Sequence, residues 1–134
     1  MKKIYSFIIC ALAGFSASAQ LPTIAEVRAN ALGTTVTATG VVSTGTTLGT
    51  HIIYFEDVTA GIVGYGNNST FTGVRVGDSV TVTGALTEFQ NLLEIGSNTN
   101  PPVLVNHGAA RIAVTPLVVP ITAINEALEG RLIR

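Results

Sequence analysis

From residue 34 to residue 95 the chain repeats one device: short strand-like runs, the clearest of them (34–43 and 79–86) alternating apolar side chains with threonine or serine, broken by glycines and polar turns. Alternation with period two sends successive side chains to opposite faces, which suits half-buried strands and not an amphipathic helix. Residues 34–43 form the first such run, with Val36 and Ala38 on one face and Thr35, Thr37 and Thr39 on the other. In residues 51–57, Ile53 and Phe55 oppose Ile52, Tyr54 and Glu56. A turn over 57–61 leads to a third strand at 62–65, and Val-Gly-Asp at 76–78 turns the chain into 79–86, where Val80 and Val82 alternate with Ser79, Thr81 and Thr83. A hairpin loop at 88–91 precedes a fifth strand at 92–95. Gly40, inside the first strand, predicts a bulge or a sharp coil, and Gly84 permits a kink.

Five strands of this kind predict an all-β fold. Closing them into a cylinder removes the exposed edges through which apolar strands aggregate. The expectation is a small five-stranded OB-fold-like Greek-key barrel with short flanking helices, with Phe55 and Phe71 in its core. An immunoglobulin-like sandwich is the competing architecture, and it asks for about seven strands. The first flanking helix starts at Thr23, which with Glu26 three residues later makes a capping box. Residues 121–128 read as a second short helix, stopped at Gly130. Before it, 103–105 extends the sheet, and 112–119 is extended, held to an edge by Pro116 and Pro120. Residues 132–134 read as the start of a strand, so 20–120 is expected to be the barrel domain and 121–134 the beginning of a linker or of a further, truncated domain.

The N-terminus carries export signals. Lys2 and Lys3 precede an apolar stretch over 4–15, and Ala17-Ser18-Ala19 offers small residues where a signal peptidase reads them. Residues 1–19 are therefore expected to be a signal peptide cleaved before Gln20; an uncleaved anchor is the alternative, but the apolar stretch is short for a permanent span. Export implies a periplasmic, cell-surface or extracellular location. Cleavage removes both lysines and Cys10, leaving five arginines against eight carboxylates, a net charge of −3. With its only cysteine gone, the remaining chain has neither a disulfide nor a thiolate metal site.

Three segments carry a family resemblance: Ile53-Tyr54-Phe55-Glu56-Asp57, then Ala60-Gly61-Ile62-Val63, then residues 74–84 with their Val-Gly-Asp turn. Their succession resembles the OB-fold domains of bacterial extracellular nucleases and of related secreted multidomain proteins of the Bacteroidetes type. Residues 125–132 likewise resemble the linker leading into the next module of such proteins. The resemblance implies an accessory domain that engages nucleic acid weakly for a downstream nuclease. Two features depart from the pattern: residues 66–75 leave little room for the helix usual between the third and fourth strands, and Glu56 stands where many relatives carry a neutral amide.

OB folds bind on the face of strands two and three, between the loops after strands one and four. Here that face would present Tyr54, Glu56, Val63 and Tyr65, flanked by the loop 44–50 and by the loop 88–91 with Phe89 and Gln90. Tyr54, Tyr65 and Phe89 have rings on which bases stack, and Arg75 is placed to meet a phosphate. The same rings serve equally as core filler or surface cover. A lysine-free domain of charge −3 has few cations with which to hold a polyanion. His51 and His107 lack metal-ligand spacing, Asp57 and Asp78 sit where aspartate caps turns, and neither a catalytic constellation nor a cofactor is expected. A structural spacer or protein-interaction module is the alternative function.

Overall fold

The computed structural model describes residues 20–108 and 113–134. The expected signal peptide and Arg111 lie outside them.

One short helix and six strands follow in order: α1 (Ile24–Arg28), β1 (Thr35–Val42), β2 (Ile52–Glu56), β3 (Gly61–Tyr65), β4 (Ser79–Phe89), β5 (Leu92–Ile95) and β6 (Val103–Asn106). Antiparallel pairing joins β1 to β2, β2 to β3, β5 to β4 and β4 to β1, while β3 and β5 run parallel. The ring β1-β2-β3-β5-β4-β1 is a closed five-stranded Greek-key barrel of the OB type. Val103–Asn106 pairs with β4 outside the ring as a sixth strand.

The alternation does the sorting. Val36, Ala38, Ile53, Phe55, Ile62, Val80, Val82, Leu86 and Ile95 all turn inward and are buried. On the outside of the β1–β4 pair the threonines form ladders, with Thr37 and Thr83 hydroxyls 2.9 Å apart and those of Thr39 and Thr81 also 2.9 Å apart. Such facing hydroxyl pairs add to strand pairing. Phe71, from the turn-rich segment after β3, enters the core and is fully buried. That segment forms turns and no helix. α1 contributes Ile24 and Val27 to the same core. It is capped as expected: Glu26 N donates to Thr23 Oγ1 at 3.3 Å and Thr23 N donates to Glu26 Oε2 at 2.8 Å.

Three expectations differ from the outcome. Of the two alternatives at Gly40 the bulge does not form, because the β1–β4 register runs unbroken from Thr35↔Ala85 to Val41↔Ser79. The glycine is needed where β1 also meets β2: a Cβ there would stand 2.8 Å from the Glu56 carbonyl oxygen. The β4–β5 loop is only Gln90-Asn91, both with positive φ (50° and 68°), so β4 is longer than its alternation indicated. Two positive-φ central residues are the mark of a tight type I′ hairpin. Residues 121–128 form two separate 3₁₀ turns instead of a helix. Asn125 breaks them apart by accepting from Ala127 N at 2.9 Å, and Ile121 is left 84% exposed. A helix this short needs a buried face to offset nucleation, and this one has none.

Candidate functional site

Directly paired residues of antiparallel strands share a face. The register Ile52↔Tyr65, Tyr54↔Val63 and Glu56↔Gly61 therefore puts Tyr54, Glu56, Val63 and Tyr65 together on the outer wall of β2 and β3. The structure then divides this face into a covered part and an open part.

The covered part lies under the chain's own C-terminal segment, residues 126–134. Gly61 permits it: a Cβ at that position would collide with the Gly130 carbonyl. Arg28, from the last turn of α1, reaches under the segment. It donates to Gly61 O at 3.0 Å, Glu126 O at 3.3 Å, Glu129 O at 3.4 Å and the Glu129 carboxylate at 2.8 Å. Glu129 also accepts from Leu93 N at 3.5 Å. Glu56 is taken up in the same way, accepting from Leu132 N at 3.0 Å with Arg131 Nε at 3.8 Å. Val63 exposes no surface at all. Of the expected contact residues, Glu56 is thus bound internally and Val63 is inaccessible.

The open part is a groove of about 630 Å³, bounded by Ile52 and Tyr65 on one side and by the curled β4–β5 hairpin on the other. Its lining brings together Tyr65, Phe89 and Gln90 with Thr87, Glu88, Leu92, Glu94 and Ser97. Phe89 is 62% exposed. The His51 ring meets Tyr65 edge to face at 5.8 Å and so steadies this wall. Tyr54 is half-buried and does not line the groove, and Arg75 lies exposed beside the 45–48 turn, away from it.

Glu94 is the residue that sequence reasoning missed. It is 6% exposed, lines the groove, and has no hydrogen bond or ion pair to its carboxylate among the described residues. The hydroxyl of Thr87, its cross-strand partner, donates instead to the backbone carbonyls of Glu94 (3.3 Å) and Gly96 (2.7 Å). Burial pushes the Glu94 carboxyl above its ordinary value. A signal was present in Leu-Leu-Glu-Ile, an acid set among apolar residues; the register Thr87↔Glu94 and Val63↔Glu94 makes it an outward position between Thr87 and Val63.

The aspartates behave as turn residues. Asp57 accepts from Thr59 N, Thr59 Oγ1, Ala60 N and, across the fold, Ile24 N at 2.8 Å. Burial alone would raise its carboxyl, but these hydrogen bonds together outweigh burial and hold it below the ordinary value. Asp78 accepts from Arg75 N at 2.9 Å and from Asn106 Nδ2 at 3.1 Å. His107 Nε2 lies 2.9 Å from Thr81 Oγ1, on a different wall from His51. Among the described residues no three His, Cys, Asp or Glu side chains cluster as metal ligands would.

The sequence matches no protein-family model and no curated protein. Among solved structures, that of the hypothetical protein ygiW from E. coli aligns with 69% of this chain and 97% of its own, at 22% identity and a TM-score of 0.50. That likeness is one of fold.

Proposed function

We propose that this chain is a non-catalytic OB-fold binding domain of an exported protein, accessory to other domains of the same polypeptide, and that its ligand enters the groove beside Tyr65, Phe89 and Gln90. The observation that carries this reading is the groove itself. Its volume of about 630 Å³ lies within the range of ligand sites. It flanks β2 and β3 and is walled by the loop after β4, where OB folds take their ligands. Aromatic and apolar side chains line it, with a few polar groups to orient a guest.

The lining bears on the nucleic-acid expectation. Two carboxylates, Glu88 and Glu94, face the groove, and no arginine is among its lining residues. Polyanion affinity depends on neutralised phosphates, so single-stranded nucleic acid is a weak ligand of this domain at most. A second reading, a spacer or protein-interaction module, draws support from the C-terminal segment, which already occupies part of the wall where a ligand would lie.

Amide NMR spectra of the purified protein test the choice. A set of small fragments at millimolar concentration is expected to shift Tyr65, Phe89 and Glu94, while a single-stranded oligonucleotide at low salt leaves them nearly in place. If no fragment moves the groove resonances, the binding reading falls and the spacer stands.

A further inference from the structure

Resting on that binding reading, we propose that the groove receives one guanidinium or ammonium group carried on an apolar stem, with Glu94 as its counter-ion and Tyr65 and Phe89 as its aromatic walls. Glu94 as a residue is only 6% exposed, and with no protein partner among the described residues its carboxylate meets only the water of the recess, a poorly compensated place for a charge. Threonine or leucine at this outward position of β5 would fold at less cost. No arginine lines the recess; Arg28 is committed to Glu129 at 2.8 Å and Arg131 lies against Glu56 at 3.8 Å. The carboxylate therefore faces the recess with its acceptor capacity unspent among the described residues. Glu88 at the rim adds a second negative charge.

The walls choose the kind of cation. A hard metal ion wants several oxygen ligands, and the described residues supply no such cluster. Aromatic rings beside a carboxylate suit an organic cation, which gains cation–π attraction and buries its stem at once. The recess holds more than a bare guanidinium, which leaves room for the methylenes of an arginine or lysine side chain or of a free alkylamine.

The test is calorimetric titration of the purified protein at low salt and pH 8 with a five-residue glycine peptide bearing a central arginine, with the same peptide bearing neutral citrulline, and with agmatine. The arginine peptide is expected to bind at least about tenfold more tightly than the citrulline peptide, and Glu94→Gln to erase the difference. Agmatine binding as well as the arginine peptide assigns the site to free amines; a clear preference for the peptide assigns it to protein side chains. Equal affinity for arginine and citrulline peptides, or a preference that survives in Glu94→Gln, overturns the proposal while leaving the groove as a ligand site. Binding of no probe, with no fragment shifting the groove amides, removes both readings together. Glu94→Gln is nearly isosteric, and its unfolding curve checks that the fold is intact.

Discussion

The two halves of the outer wall treat charge in opposite ways. Under the C-terminal segment nearly all the polar groups are matched: Arg28 meets four oxygens, Glu56 receives a backbone amide, and Asp57, next to Glu56 in the chain, collects four donors, while Arg131 Nε, 3.8 Å from Glu56, alone lacks a hydrogen bond among the described residues. In the groove, Glu94 is as deeply buried as any of them and meets none. Buried charges in the first half fasten the chain to itself. A buried charge left open in the second half stabilises nothing in the free protein, and so becomes useful only when something from outside completes it. The lesson concerns where to look on a barrel of this kind: the informative position is the polar group whose partner is missing, more than the ring on the surface.

The largest expected effect breaks the covered half. Arg28→Ala leaves the Glu129 carboxylate and three carbonyls short of a donor in a setting where both side chains of the ion pair are mostly buried (12% and 16% exposed). Loss of one partner of a buried pair costs about 3 kcal/mol. Urea unfolding measures it, and hydrogen exchange at Leu132 should report release of the C-terminal segment. A loss below about 1 kcal/mol, the range of exposed pairs, would mean that the segment is held by packing and that the contrast drawn above is wrong.

Next in size are two carboxylates with opposite responses to pH. Asp57→Asn weakens the link between α1 and the β2–β3 turn and should cost about 2 kcal/mol at neutral pH, the scale of hydrogen bonds to a charged group. The Asp57 carboxyl titrates lower in the folded protein than in the unfolded chain. The unfolded chain thus binds more protons in that window, and stability is lost as pH falls through the lowered folded value. Glu94 is the reverse. Its carboxyl titrates higher when folded, so the folded protein holds the extra proton and stability declines as pH rises above the ordinary glutamate value. Urea midpoints across pH 2–8 (roughly the span of both windows) separate them. Asp57→Asn should flatten the acid limb, and Glu94→Gln should remove the decline above it and give a gain smaller than either loss. A decline that persists in Glu94→Gln assigns it to another group.

Much of the barrel was legible because period-two patterning fixes which face of a strand is buried, and β1, β2 and β4 followed their alternation, whereas β3 and β5 are too short and too buried to show one. Thr23 and Glu26 likewise announced their cap locally. What the sequence hid depends on contacts between distant segments. Gly61 looks like any strand-starting glycine until Gly130 is laid against it. Glu56 and Val63 do share the expected face, yet nothing local shows that residues far along the chain occupy it. Tyr65, Phe89 and Gln90 do meet in one groove, because the Gln90-Asn91 turn is tight enough to curl the hairpin back toward β3. Glu94 escaped notice because an acid in a short apolar strand reads as a solvent-facing residue, and its low exposure of 6% arises only once the walls of the groove are assembled around it.

The smallest expected effect on stability falls on Phe89, and it sharpens the contrast from the open side. The sequence leaves two roles for this ring, surface cover or ligand contact, and the two differ in what truncation does. Phe89 pairs with Leu92 beside the hairpin turn and is 62% exposed, so little of its surface is withdrawn from water in the free protein. Phe89→Ala should then change stability by no more than about 0.5 kcal/mol, as for surface positions generally, because a cross-strand pair at a solvated hairpin end contributes little. If the ring is a wall of the groove, the same substitution should still weaken binding of the arginine peptide severalfold, with the unfolding midpoint unmoved. A loss of stability well above that, with peptide affinity intact, would make Phe89 a cover for Leu92 and leave Tyr65 and Glu94 to form the site without it.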